Sequence, residues 1–345
     1  MKKILAILLA VSCFFFSSCE EKNEKLQKFE DYTFDYFDTV TTIIGYEQDK
    51  ESFDRNCDII KDKLSMYHKL FDIYNKYDGI NNLAVINDSK EPVTVDKEII
   101  AMLDFCKQMY EKTNGKVNVA MGSVLSIWHD YRTVGLNNPE KAELPDMNNL
   151  LDASKHTDIS NLLIDKENCT VYLKDNEMSL DVGAIAKGYA VEQTAIYLEK
   201  KGLGGYILNV GGNVRIVGKR EDGEKWNVGI ENPFEDEENP YSELLSLDSM
   251  SLVTSGSHQR FYTVNNKNYH HIIDSKTLMP AEYFLTVSIL TADSGVADGL
   301  STALFSMSYE DGKKIIENFD NTEAMWILPS GEKKYSKNFK IYCKN

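Results

Sequence analysis

The sequence carries no surplus of positive charge: across 345 residues, 38 Lys and Arg face 54 Asp and Glu, a formal net charge of −16. A chain this acidic is a poor match for nucleic acid or for anionic lipid, so neither is expected as a partner held by charge. Cysteine is scarce as well, 6 residues with no CxxC pair among them, which removes a redox dithiol and a dense disulfide framework. No apolar run reaches the length of a comfortable membrane span; residues 4 to 16 offer about 13 positions where about 20 are needed. The P-loop spacing G-x-x-x-x-G-K-S/T is missing, so kinase-like or P-loop ATPase chemistry has no support. Internal repeats and low-complexity linkers are also lacking after residue 30, which favours a single domain.

What the N-terminus does contain is an export signal. Met1-Lys2-Lys3 is followed by the apolar run and then by Ser17-Ser18-Cys19, before the charged stretch Glu20-Glu21-Lys22. Cys19, directly after two small residues, looks like the lipidated cysteine of a bacterial lipobox, although Phe16 stands where Leu or Val is usual. Cys13 is a weaker alternative because it would cut the apolar run short, and cleavage without lipidation is a further one. Removing residues 1 to 18 takes away Lys2 and Lys3 and no acid, moving the net charge from −16 to −18. The lipid anchor, not a basic patch, is therefore the expected attachment to the membrane, with residues 19–31 as anchor and tether and the fold beginning near Tyr32.

Beyond the tether, Thr39-Val40-Thr41-Thr42-Ile43-Ile44 reads as a strand. Phe53, Cys57, Ile60, Leu64, Tyr67 and Phe71 recur at spacings of four and three, the stripe of an amphipathic helix. A second helix is expected from Asp96, a candidate N-cap, to Thr113, with Gly115 just past its end. Cys57 and Cys106 fall on apolar faces of these helices and read as small core hydrophobes. Short strands recur over 162–164, 170–173, 206–210, 214–217, 226–230, 261–264 and 286–290, with helices near 185–200 and 294–307 between them. The acidic stretch 235–240 reads as a solvated loop. This mixed order predicts an α+β fold, with largely antiparallel sheets and flanking helices, as one compact domain over 32–345.

Five segments carry chemistry. In the first, Ser179 to Ala190, a short apolar strand delivers Asp181 to a Gly/Ala-rich turn, and Lys187 sits in the first turns of the following helix. Backbone N–H groups at such a start can receive a phosphate beside the lysine charge, but a capped helix with a surface lysine looks the same. In the second, Asp298 and Thr302 are four apart on a helix, offering a carboxylate and a hydroxyl to one hard cation such as Mg²⁺. A threonine bonded to its i−4 carbonyl is the alternative. The third, Asn209-Val210-Gly211-Gly212-Asn213, reads as a tight hairpin. The fourth runs from Thr254 to Tyr262 and the fifth from Tyr269 to Thr277; His270 and His271 are adjacent on a strand, point to opposite faces, and do not suit a two-histidine zinc site.

Together and in chain order, these segments resemble the ApbE-type FAD:protein FMN transferases. The resemblance rests on Asp181, Gly183, Lys187 and Gly188; on Asn209, Gly211, Gly212 and Asn213; on Thr254-Ser255-Gly256; on His271, Ile272, Asp274 and Thr277; and on Ala297, Asp298 and Thr302. It extends more loosely to Asp38–Thr42, to Phe71–Tyr74 through Asn87, and to Asn118–Gly122, where Asn118, Ala120 and Ser123 depart from the family's acid, Thr and Pro. What it implies is transfer of FMN from FAD to a Thr or Ser hydroxyl of an exported flavin-accepting protein, with release of AMP. By the same resemblance FAD is contacted by Val40, Tyr74, Asn118, Val119, Ala120, Asp181, Lys187 and Ile272, the last through its backbone. Mg²⁺ is held by the Ala184 carbonyl, Asp298 and Thr302, and catalysis falls to Lys187, Asp298 and His258, the last as base with an ordinary pKa of about 6.5. Two alternatives stay open: an FAD pyrophosphatase giving FMN and AMP, and a non-catalytic FAD-binding lipoprotein.

Overall fold

A computed structural model describes residues 26–220, 222–234, 236, 238–257 and 260–344; the export segment, Cys19 and His258 lie outside them. The first element is β1 (Gln27–Tyr36), paired antiparallel with β2 (Thr39–Glu47). Among the described residues, regular structure thus begins at Gln27, ahead of the expected start near Tyr32. On the inner face of β1, Phe29 rests on Phe53 (ring centroids 5.5 Å) and Asp31 pairs with Lys61 (2.6 Å). A strand whose inner face includes a paired aspartate shows no apolar alternation, and charge is the usual protection of a sheet edge.

Helix α1 (Lys50–Phe71) starts where the Asp49 carboxylate accepts the Ser52 N–H (2.7 Å), and it buries the expected stripe. After α2 (Leu83–Asp88) and β3 (Val93–Thr94), Asp96 caps α3 (Lys97–Lys112) by accepting the Glu98 N–H (2.9 Å). Gly115, at φ +78°, ends that segment with its N–H on the Tyr110 carbonyl (2.8 Å). Next come α4 (Gly122–Asn137), α5 (Met147–Ala153), β4 (Leu162–Asp165) and β5 (Thr170–Leu173), the last two joining β3 in a small sheet. Helix α6 (Ala186–Lys200) leads into β6 (Tyr206–Val210) and β7 (Asn213–Val217), a hairpin whose two loop residues, Gly211 and Gly212, sit at φ +56° and +88°. The hairpins β8 (Trp226–Glu231)–β9 (Tyr241–Leu247) and β11 (Phe261–Val264)–β12 (Lys267–His270) flank β10 (Ser251–Gly256) in sequence. The chain closes with β13 (Thr286–Thr291), α7 (Ser294–Phe305), α8 (Tyr309–Ile316), β14 (Glu323–Ile327) and β15 (Lys333–Tyr335).

Eight strands form one antiparallel sheet in the order β1-β2-β6-β7-β10-β13-β14-β15, so the fold is α+β with largely antiparallel sheets and flanking helices, as expected. Alternate residues go to opposite faces. Ile207, Ile216, Leu252, Leu290 and Met325 pack under the β8–β9 hairpin, whereas Leu208, Val217, Val253, Ile289 and Trp326 face the helices. Of those helices α7 is buried nearly all round, so it has no amphipathic stripe and identifies itself only by small residues that admit close neighbours.

A separate cluster joins α4 to the β11–β12 hairpin through Val124, Trp128, Tyr262, Val264 and Leu278, with the Trp128 indole N–H on the Leu278 carbonyl (2.9 Å). Residues 122–137 gave no helical stripe in the sequence because α4 lies between this cluster and an open cleft, leaving few of its side chains buried. Cys57 and Cys106 are core residues, and the four described cysteines are free thiols. Among the described residues no helix is long and apolar enough to cross a membrane.

Candidate active site

Between the α4 cluster and the β6–β7 end of the large sheet lies a cavity of about 600 Å³, the size of a cofactor or substrate site. Residues from all five segments line it: Asp181, Ala184 and Lys187; Asn209 and Gly211 to Asn213; Thr254 to Gly256; His270 to Ile273; and Asp298 with Thr302. A second chamber of about 560 Å³ adjoins it, sharing Tyr74, His129, Arg132, Asp181, Lys187 and Arg260 as a common wall. The two together suit an elongated, two-part ligand.

The centre of the first chamber is a helix start that has been opened. In a regular helix the Gly188 N–H would close onto the Ala184 carbonyl. Here it donates instead to Asp298 Oδ2 (2.8 Å), and no backbone amide among the described residues takes its place on Ala184. Ala184 itself lines the cavity. Asn213 Nδ2 donates to the other carboxylate oxygen (3.5 Å), and Lys187 Nζ stands 3.8 Å from Oδ2 while donating to the Gly183 carbonyl (3.3 Å). Burial drives the Asp298 pKa up; Lys187 and the Gly188 amide act against that rise without cancelling it. Such a carboxylate calls for a cation.

Three further features meet that call. Asn213 Oδ1 is buried without a hydrogen-bond partner among the described residues. Thr302 makes no back-bond to the Asp298 carbonyl, which accepts from Ser301 Oγ (2.9 Å) instead, so its hydroxyl stays available. No cluster of three or more His, Cys, Asp or Glu able to hold a metal exists among the described residues. The donors are therefore few and all oxygen, a set that fits Mg²⁺, which completes its shell with water and phosphate, and does not fit a thiolate or imidazole metal.

The opposite wall is cationic. Arg132 and Arg260 line both chambers, and neither forms an ion pair among the described residues. Arg132 Nη2 donates to His129 Nδ1 (3.2 Å), and Arg260 Nη2 to the Asp38 carbonyl (3.4 Å). In a chain of net charge −16, two guanidiniums lining the same cavity as Lys187 mark this cleft as a place for an anion.

The two histidines of the fifth segment differ in role. His270 is buried and inward, its Nε2–H on the Ala281 carbonyl (2.7 Å) and its Nδ1 accepting the Ile272 N–H (3.2 Å). His271 Nδ1 meets the Arg260 carbonyl (3.2 Å), which fixes the proton on Nδ1 and leaves the lone pair on Nε2. His271 is exposed; desolvation by the protein on its other sides, then the Arg260 and Arg132 charges, lower its pKa.

Most residues expected at the site reach it. Val40, Tyr74, Asn118, Val119, Asp181, Ala184, Lys187, Ile272, Asp298 and Thr302 all line the cavity. Asn118 does so with its side chain already engaged, accepting from the Ala120 N–H (3.0 Å) and donating to the Thr157 carbonyl (2.8 Å). Asp181 accepts the Gly183 N–H (2.8 Å), and burial again raises its pKa against the pull of that amide, His129, Arg132 and Lys187. Ala120 is not among the residues lining the cavity; it is fully buried and packs in the core. The expected backbone contact from Ile272 is also narrowed, because its N–H is held by His270 and its carbonyl accepts the Ala281 N–H (3.0 Å). His258, the expected base, lies outside the described residues, between Ser257 and Arg260. Arg132 and His129 were missed; their i, i+3 spacing on α4 was the available signal, and it needed the helix to be seen first.

Comparison with known proteins agrees with this geometry. The model of the ApbE family matches residues 37–326. The FAD:protein FMN transferase of Treponema pallidum is 31% identical over 252 residues, covering 69% of this chain and 67% of that protein. The FAD:protein FMN transferase of Haemophilus influenzae is 25% identical over 342 residues, 95% of this chain and 93% of that protein. Among solved structures, the ApbE protein of Thermotoga maritima superposes with a TM-score of 0.80 at 28% identity, covering 92% of this chain and 100% of the other. The chain belongs to the ApbE family.

Proposed function

We propose that this protein transfers the FMN half of FAD to a threonine or serine hydroxyl of another exported protein, releasing AMP, in a Mg²⁺-dependent reaction. The observation that carries this reading is the diverted Gly188 amide, which leaves the Ala184 carbonyl without its helical donor in a cleft that Asp298, Thr302, Arg132 and Arg260 also line. The acceptor oxygen attacks the FMN phosphorus, the bond from that phosphorus to the bridging oxygen breaks, and AMP leaves with the electron pair. Asp298, Thr302 and the Ala184 carbonyl would hold Mg²⁺, which would supply neutralisation of the charge gathering on the phosphate oxygens. Lys187, Arg132 and Arg260 add fixed positive charge where that negative charge grows. The proton of the acceptor hydroxyl goes to His271 Nε2, the lone pair that the Arg260 carbonyl leaves free.

The direct test is incubation with FAD, Mg²⁺ and a flavin-accepting protein, followed by in-gel fluorescence and AMP measurement. If AMP forms at one rate with or without acceptor and no protein turns fluorescent, the protein is a hydrolase and the transferase reading fails. For the base, His271→Ala is expected to slow transfer by about 10²–10⁴-fold with FAD affinity kept. The wild-type rate should stay level from about pH 8 down through the ordinary histidine range near 6.5 and decline only below it, since the ring titrates low. A comparable loss in His258→Ala, with His271→Ala nearly unaffected, would move the base to His258.

The export signal and Cys19 support placement outside the cytoplasm on a lipid anchor. Cys19→Ala is expected to shift the mature protein from the membrane fraction to the soluble exported fraction; persistence in the membrane fraction would count against the anchor.

A further inference from the structure

Beneath the site, α6 and α7 are joined by two rungs, each built from one residue of α6, one of α7 and one of β7. In the upper rung the Gly188 N–H and Asn213 Nδ2 both reach the Asp298 carboxylate (2.8 and 3.5 Å). In the lower rung the Glu192 carboxylate accepts the Ser294 N–H (2.8 Å) and a two-point fork from Arg215, Nε at 2.9 Å and Nη2 at 3.1 Å. Glu192 lies one helical turn after Gly188, Ser294 one turn before Asp298, and Arg215 two residues beyond Asn213 on the same strand face. The spacing of the rungs is thus fixed by helix and strand geometry alone. Arg215 Nη2 also reaches Glu199 (3.3 Å), and the Glu192, Arg215 and Ser294 side chains are all buried.

We propose that Glu192 is a positioning residue for the metal–phosphate site: its rung sets the register of α7 on α6, and that register aims Asp298 at Gly188 and keeps Ala184 open. The inference rests on the function proposed above only for its metal readout. A sliding of α7 by a fraction of a turn would carry Asp298 away from the Gly188 amide, which would then close onto Ala184. The salt bridge is consequently more than filler for the core. A buried ion pair is a weak source of net stability, whereas a two-pronged fork plus a helix N-terminal amide is a strong source of geometry.

The test uses the whole mature protein, with amide hydrogen exchange and Mg²⁺ titration in the presence of FAD. In Glu192→Gln, the Gly188 amide is expected to exchange faster although it lies a full turn away, and Mg²⁺ is expected to bind about 10–100-fold more weakly. A purely local role would release Ser294 and leave Gly188 protection and the Mg²⁺ constant untouched; that result overturns the proposal. The double variant Glu192→Leu/Arg215→Met removes both buried charges, so it should recover thermal stability without recovering Gly188 protection or Mg²⁺ affinity. Full recovery of both would also overturn it, and this variant decides the matter alone if Glu192→Gln does not fold. Should the wild-type protein bind FAD but no Mg²⁺, the metal-dependent function fails, while Gly188 exchange still decides the role of Glu192.

Discussion

Asp298→Ala is expected to lower FMN transfer by about 10³-fold or more, and excess Mg²⁺ should not restore it. The size follows from the proposed metal set, which loses two donors with one side chain. Alanine removes the carboxylate, and it also frees the Gly188 N–H, whose nearest helical acceptor is the Ala184 carbonyl. Once that bond forms, the second oxygen donor turns away from the cavity. Asp298→Asn behaves differently because its amide oxygen can keep the Gly188 N–H and so keep Ala184 open. Transfer by Asp298→Asn should fall by a smaller factor and recover in part at high Mg²⁺. In-gel flavin fluorescence at graded Mg²⁺ separates the two variants; equal rescue of both would remove the diverted amide from the account.

The same residue predicts a conflict between stability and activity. Burial raises the Asp298 pKa above its unfolded value of about 3.9. A carboxyl raised in the fold contributes stability that is complete below the unfolded pKa and is lost as pH rises through the folded pKa. At neutral pH and without metal, the ionised group therefore weakens the fold. Asp298→Asn is expected to raise the melting temperature of the metal-free protein by about 2–4 °C while transfer falls, and Mg²⁺ with FAD should erase the difference. A lower melting temperature for Asp298→Asn would show that Lys187 and the Gly188 amide already offset the buried charge.

Much of this site could be read from residue order, and the rest is hidden for identifiable reasons. Lys187, Asp298 and Thr302 were legible because a helix start and i, i+4 spacing fix where such side chains point, whereas the short strand expected to deliver Asp181 is absent and a loop carries it instead. The diverted Gly188 amide was not, since it depends on α6 and α7 meeting within one carbon of each other, a tertiary fact with no local pattern. Arg132 and His129 were lost with α4, whose exposed cleft face breaks the apolar stripe that makes helices visible. The β1 strand was missed in the sequence, its first half assigned to the tether, because Asp31, an inner-face residue, is neutralised by a lysine some thirty positions away. His271 was set aside as half of an unlikely zinc pair; the proposed base role rests on the Arg260 carbonyl holding its Nδ1 proton, a contact with no local pattern.

Gly188→Ala should be as damaging as any single methyl added to this protein. A Cβ at that position would stand 2.3 Å from the Ser294 carbonyl oxygen, 2.5 Å from Asp298 Cβ and 3.0 Å from Asn213 Oδ1. Two of these neighbours are helix backbone and a Cβ, which cannot swing aside as a flexible side chain would, so α6 and α7 must separate. Overpacking of this kind costs about 3 kcal/mol, visible as an earlier unfolding midpoint in denaturant. The separation also pulls Asp298 off the Gly188 amide, so transfer should fall by about 10²-fold or more even in the fraction that stays folded. Gly212 gives the contrast. It needs its freedom for a positive φ of +88°, yet no atom lies within 4 Å of an added Cβ. Gly212→Ala should therefore cost only about 1–2 kcal/mol of backbone strain and leave Mg²⁺ binding in place. If Gly188→Ala instead matches Gly212→Ala in both stability and transfer, the close approach of α6 to α7 is not what holds the metal site together.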